Sequence, residues 1–143
     1  MQQALEAAET VQLKGMAPYL QVFDMPVAIR FYRDVLGFEI VNQSEPELGD
    51  DCNWVMLRKD GIELMLNTMH EKKNRPAVKD DGRTIGHADT TLYFGCPNVE
   101  AMYIQLSAKG IKMKGPLVTF YGFKAIYLND PDGYRICCHW PAE

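Results

Sequence analysis

Residues 18–38 read PYLQVFDMPVAIRFYRDVLGF, a short extended run, an aspartate, and an amphipathic stretch closed by glycine. Tyr19 to Phe23 alternates, with Pro18, Leu20 and Val22 on one face and Tyr19, Gln21 and Phe23 on the other, which predicts a strand. Asp24 is placed to accept backbone N–H groups at a helix start. Met25, Ala28, Phe31 or Tyr32, and Val35 then recur every three or four residues, while Arg30, Arg33 and Asp34 take the wet side. Gly37 ends the helix, because glycine enters the left-handed conformation without strain. Phe31, Tyr32 and Leu36 are read as core.

Beyond Gly37, Phe38 to Val41 predicts a second strand, and the polar residues 42–51, broken by Pro46 and Gly49, a loop. Trp54 to Asn67 predicts a hairpin turning at Asp60-Gly61, a dipeptide suited to a tight turn with both central residues at positive φ. That turn sets the register: Lys59 faces Ile62 and Arg58 faces Glu63. Val55, Leu57, Leu64 and Leu66 then share one face, which packs on the helix. Trp54, Met56, Arg58, Glu63, Met65 and Asn67 share the other. A tryptophan and two methionines beside hydrogen-bonding groups suit a small-molecule pocket. The same face also reads as a second packed surface with Arg58 and Glu63 as a cross-strand ion pair. Tyr19 and Gln21, on the matching face of the first strand, join the candidate ligand-binding set.

The second half repeats this pattern. Asp24, Gly37 and Gly61 find counterparts in Asn98, Gly110 and Gly133, each 72 to 74 residues further on. Thr90 to Cys96 predicts a strand, Val99, Met102 and Leu106 a helix face, and Asp130-Pro131-Asp132-Gly133 the turn of a hairpin ending in Tyr134 to Trp140. The repeat sets Thr91, Tyr93, Cys137 and His139 opposite the first pocket face. Phe120, Tyr121 and Lys124, in the run Thr119 to Lys124, supply two aromatics and a cation that could clamp a ligand or, alternatively, pack under a loop. Residues 69–88 between the halves are polar and read as an exposed connection or lid, with His70 and His87 as solvated histidines.

Taken in order, Asp24-x7-Tyr32-x3-Leu36-Gly37-Phe38, Gly61-Ile62-Glu63-Leu64 and Asp130-Pro131-Asp132-Gly133-Tyr134 resemble the glyoxalase, bleomycin-resistance and extradiol-dioxygenase superfamily, the vicinal oxygen chelate fold. The resemblance is closest to the metal-free bleomycin-resistance-like branch. It implies an α+β fold in which two paired βαβββ modules form a curved mixed sheet around a cavity, often completed across a homodimer. The boundaries follow: an N-terminal extension (1–16), module one (17–68), a linker (69–88) and module two (89–140). The resemblance also places the family's four metal-ligand positions on Ala17, Glu63, Thr91 and Cys137, of which only Glu63 is a usual ligand. A divalent ion in a catalytic site wants about three protein ligands. No metal or other cofactor is therefore expected. The implied function is a metal-independent small-molecule-binding protein that sequesters a drug or metabolite. The alternative is a lyase, isomerase or dioxygenase using Glu63 as base or metal ligand.

The chain has 143 residues, 47% of them hydrophobic, which suits one domain or two small modules sharing a core. No apolar run is long enough to span a membrane, and the four cysteines show no CxxC spacing. Free buried thiols and a cytoplasmic location are the expectation. A net charge of -4 with scattered basic residues argues against nucleic acid and favours a neutral or cationic ligand. Residues 1–16 carry a weak stripe (Leu5, Ala8, and Val11 or Gln12) and read as an appended helix. Half-open sheets leave strand edges for a partner, so a homodimer is expected.

Overall fold

A computed structural model describes residues 10–143. Each half of the chain builds one four-stranded mixed sheet. In the first, β1 (Tyr19–Val22), β2 (Glu39–Gln43), β3 (Trp54–Lys59) and β4 (Ile62–Thr68) lie in the order β1-β4-β3-β2; β1 runs parallel to β4 and the other pairs are antiparallel. In the second, β5 (Thr91–Gly95), β6 (Lys114–Val118), β7 (Phe123–Asn129) and β8 (Arg135–Pro141) repeat it as β5-β8-β7-β6. This is the α+β arrangement of two βαβββ modules that the internal repeat predicts.

Helix α1 (Met25–Arg30) starts where Asp24 accepts a hydrogen bond from the Val27 N–H at 3.3 Å, and it runs on through a wider π turn over Phe31–Val35. Gly37, at φ 85°, donates its N–H to the Arg33 carbonyl and reverses the chain. The buried stripe is Met25, Ala28, Ile29, Phe31, Tyr32 and Leu36; Ile29 joins the predicted face, both aromatics are buried, and Val35 is only half-buried. Helix α2 (Asp81–Gly86) is a short linker element, and α3 (Val99–Ala108) takes the place of α1 in module two, capped by Asn98, which accepts from the Ala101 N–H. Leu20, Val22, Val55, Leu57, Leu64 and Leu66 from the first sheet and Ile126, Leu128, Ile136 and Cys138 from the second join the two helices in one continuous core.

Specific polar contacts dock module two on module one. The Tyr32 hydroxyl donates to Asp130 Oδ2 at 2.6 Å, the Phe23 N–H to Asp132 Oδ1 at 2.7 Å, and Lys109 Nζ to the last carbonyls of the π turn, Asp34 O and Val35 O. The Asp130-Pro131-Asp132-Gly133 turn is thus a clasp between the modules. Asp130 Oδ1 also accepts the Asp132 and Tyr134 N–H groups. Burial pushes its carboxyl up to about 6, against the opposing pull of the Tyr32 hydroxyl. A carboxyl whose folded value lies above its unfolded one stabilises the fold when protonated, and that stabilisation is lost as pH rises from about 4 through 6. Asp130→Asn removes the titration while keeping a carbonyl for the two N–H groups. Wild type measured against this variant by urea unfolding should lose about 2 kcal/mol of relative stability between pH 4 and pH 7.5. A flat difference would mean Asp130 is not buried in this clasp.

Two expectations change. The described part of the N-terminal segment, residues 10–18, forms no helix; the rest of the appended helix read over 1–16 lies outside the described residues. The linker is also less free than its composition indicates. His87 is not solvated: its ring stacks on Tyr134 with centroids 4.1 Å apart, and its Nδ1 lies 2.7 Å from the Asp132 carbonyl. Arg83 donates to the Gln21 side chain and Lys79 to the Pro131 carbonyl, so the linker straps the clasp. His70 lies edge-on to Phe23.

Candidate ligand-binding site

The hairpin register is the one the Asp60-Gly61 turn imposes, with Lys59 paired to Ile62, Arg58 to Glu63, Met56 to Met65 and Trp54 to Asn67. Asp60 and Gly61 both have positive φ, as that turn requires. Val55, Leu57, Leu64 and Leu66 are consequently in the core, and Trp54, Met56, Glu63, Met65 and Asn67 are half-buried on the other side. The parallel pairing of β1 with β4 sets Tyr19 beside Met65 and Gln21 beside Asn67, extending that outer face. On it Arg58 donates to Glu63 Oε2 from Nε at 2.9 Å and from Nη2 at 2.5 Å. The pair is largely exposed, so it adds little stability, but it engages one of the two carboxylate oxygens.

Module two presents the corresponding face. One row of it runs Lys114, Tyr127, Cys137, Tyr93 across β6, β7, β8 and β5, and the next runs Asn129, Arg135, Thr91. His139 stands between Tyr93 and Phe123, with ring centroids 5.0 and 4.8 Å away, and its Nδ1 is buried without a hydrogen-bond partner. Tyr93 is 55% exposed although it is large and partly apolar. Cys137 is fully buried, and burial pushes its thiol up. All four cysteines are free.

A cavity of about 780 Å³ lies on this face, lined by Tyr127, Leu117, Phe120 and Tyr121 and by polar and basic side chains, and reaching the core-facing Leu128 and Met113. A smaller one of about 470 Å³ lies at the seam of the modules, where Glu63 and Ile62 approach Thr91 and Tyr93. Phe120 is fully exposed and meets Tyr121 edge-on at 5.1 Å. Lys124 is not with them. It pairs across the sheet with Trp140 on the opposite face and forms an ion pair with Glu100 of α3. The sequence reading therefore gathers residues that the chain holds in three places: Tyr19, Gln21, Trp54, Met56, Arg58, Glu63 and Met65 on the first sheet; Thr91, Tyr93, Phe120, Tyr121, Cys137 and His139 on the second; Lys124 behind it. Because both sheets turn their other faces into the shared core, the two pocket faces of one chain do not oppose each other.

Lys112, Lys114, Tyr127, Asn129 and Arg135 line the larger cavity without having been anticipated. Strand parity with Cys137 and His139 would have indicated Arg135, and the partner strand then Tyr127 and Asn129. Nothing in the local pattern marks Lys112 and Lys114.

The residues at the family's metal positions do not suit a metal. Ala17 has no donor, Thr91 only a hydroxyl, Glu63 is held by Arg58, and Cys137 carries a thiol whose ionisation burial opposes. Thr91 lies beside Arg135 and Cys137 beside Tyr93, so the second-module positions are not abreast. No three His, Cys, Asp or Glu side chains converge among the described residues.

Comparison with known proteins accounts for this architecture. The model of one family, the Glyoxalase/Bleomycin resistance protein/Dioxygenase superfamily, matches residues 12–138. The chain belongs to that superfamily. Among solved structures, it is similar to TnmS3, an antibiotic binding protein from Streptomyces sp. CB03234 (TM-score 0.67, 19% identity, covering 94% of this chain and 100% of that one). It is also similar to a glyoxalase/bleomycin resistance protein/dioxygenase from Nocardioides (TM-score 0.69, 18% identity, 99% and 93%). A third is lactoylglutathione lyase from Agrobacterium tumefaciens (TM-score 0.64, 19% identity, 90% and 94%). At these identities the likeness is one of fold. Among curated proteins none matches by sequence. The Tyr32 and Asp130 motifs, one from each half of the repeat, supply the two sides of the clasp. No helix among the described residues is long and apolar enough to cross a membrane.

Proposed function

We propose that this superfamily member is a metal-independent small-molecule-binding protein of the bleomycin-resistance kind, cytoplasmic and homodimeric, which holds a drug or metabolite by affinity alone. The observation that carries the reading is the coincidence of two facts on one face. The second module opens a cavity of about 780 Å³ with an aromatic and aliphatic lining, and the metal positions on that face lack a workable donor set. The unopposed faces support the dimer. Tyr19 of the first-sheet face and Tyr93 of the second-sheet face are each about half exposed in one chain, and the two faces share a mixture of apolar area and hydrogen-bonding groups that a second copy would match. The antibiotic-binding neighbour TnmS3 is compatible with such a role.

An enzyme of the lyase, isomerase or dioxygenase type would need Glu63 as base or metal ligand, and the two Arg58 N–H groups that converge on its Oε2 compete with both roles. A thermal-shift screen of planar aromatic compounds tests the proposal. Hits should raise the melting temperature of the wild type, and Tyr127→Ala, in the lining of the larger cavity, should weaken them by about 1 to 3 kcal/mol through lost aromatic contact. Hits that survive Trp54→Ala, Tyr93→Ala and Tyr127→Ala unchanged would place the ligand elsewhere and reject the site.

A further inference from the structure

The larger cavity carries a charge that its apolar lining does not explain. Lys112, Lys114 and Arg135 line it, and no aspartate or glutamate does. Among the described residues none of these three takes part in an ion pair, whereas Arg33, Arg58, Arg75 and Lys124 all do. The sheet register sets the arrangement: Lys114 on edge strand β6 pairs with Tyr127, and Arg135 on β8 pairs with Asn129, the next outward-facing residue of the same β7 strand. Lys114 thus stands beside Tyr127 and Arg135 one rung along on the far side of β7, with Lys112 two residues before Lys114 and the exposed Phe120 ring among the lining residues.

Three like charges around one concavity repel one another, and an anion in their midst relieves that repulsion while gaining attraction from each. The chain's net charge of -4 points the other way, toward cations. At physiological salt, however, charges more than about 8 Å apart are largely screened, so the groups lining the cavity outweigh the distant ones. Lysine and arginine supply hydrogen-bond donors suited to an anionic oxygen group, and arginine can take it in bidentate fashion. We propose that this cavity selects planar aromatic anions: an aromatic body against Tyr127, Leu117 and Phe120, with a carboxylate or an equivalent anionic oxygen group between Lys114 and Arg135. The proposal rests on the small-molecule-binding reading of the same cavity and adds the class of ligand to it.

The test is calorimetric titration of the full chain with three probes that share one ring system: naphthoate, naphthalenemethanol and naphthylmethylammonium. Naphthoate should bind at least about tenfold more tightly than the ammonium probe, with the neutral alcohol between them. Its advantage should shrink as salt is raised from about 0.05 M to about 0.5 M. The double variant Lys114→Glu/Arg135→Glu alters exposed side chains only and should reverse the order of the three probes, with an unchanged melting curve as the check on folding. Phe120→Ser should weaken all three alike. Equal affinities, or tightest binding of the ammonium probe, would overturn the charge selection and leave the binding function standing. Naphthoate binding that ignores the double reversal would overturn the location. Failure of all three probes to bind would overturn both the selection and the cavity as a binding site.

Discussion

Leu64→Ala lowers the free energy of unfolding by about 2 to 5 kcal/mol, the usual range for emptying a fully packed leucine site. Leu64 is 1% exposed and stands among Leu57, Leu66 and the buried face of α1. Its chain neighbour Met65 is half-buried on the opposite face, so Met65→Ala should cost distinctly less and should register in ligand binding instead. Urea unfolding of both variants measures the contrast. If Met65→Ala were the more destabilising, the hairpin would be out by one residue and the two faces exchanged.

Gly133→Ala has the other large effect, and it acts on the clasp. Gly133 sits at φ 87°, and a Cβ there would lie 2.1 Å from the Thr84 carbonyl oxygen in α2. Neither backbone can yield cheaply, so the turn must distort or the linker helix must leave. Gly122 has nearly the same φ, 85°, with nothing within 4 Å of its Cβ position. Gly122→Ala should therefore cost only the conformational strain of a left-handed alanine, about 1 to 2 kcal/mol. Gly133→Ala should cost clearly more. It should also expose Lys79 and Arg83 to trypsin, because His87 and Lys79 are held against the turn that moves. Equal melting temperatures and equal trypsin resistance in the two variants would show that the linker does not rest on the turn.

These two residues also show what the linear pattern carries. Leu64 was legible because a two-residue turn fixes a register, and a register with period two assigns every side chain on both strands to a face. Gly133 was legible as a turn residue but not as a contact, since Thr84 belongs to a linker whose polar composition resembles that of a free loop. His87 was missed for the same reason: its stack on Tyr134 joins positions 47 residues apart and leaves no local trace. The repeat, the caps at Asp24 and Asn98 and the glycine stop at Gly37 are local, and all reappear in the structure.

The candidate site was legible in halves. Each pocket face followed from strand alternation, but their relation to each other depends on which faces enter the common core. Lys124 was grouped with Phe120 and Tyr121 by adjacency, although alternation sends it to the face where Glu100 meets it. Arg135 follows the parity of Cys137 on β8 but carries no metal donor, so the family's ligand pattern does not mark it. Lys112 precedes, and Lys114 opens, a bulged edge strand containing Pro116, where neither alternation nor turn chemistry assigns a direction.

The central claim is ligand binding without a metal on the outer faces of the two sheets. The direct measurement is a nuclear magnetic resonance titration of the isotope-labelled protein with the strongest hit of the aromatic screen, run once in a chelator and once with added zinc. The account predicts the same affinity in both, with shifts concentrated at Trp54, Tyr93, Tyr127 and Cys137 and absent from Leu57, Leu66 and Lys124. Binding that requires zinc and disappears on Glu63→Gln would contradict it.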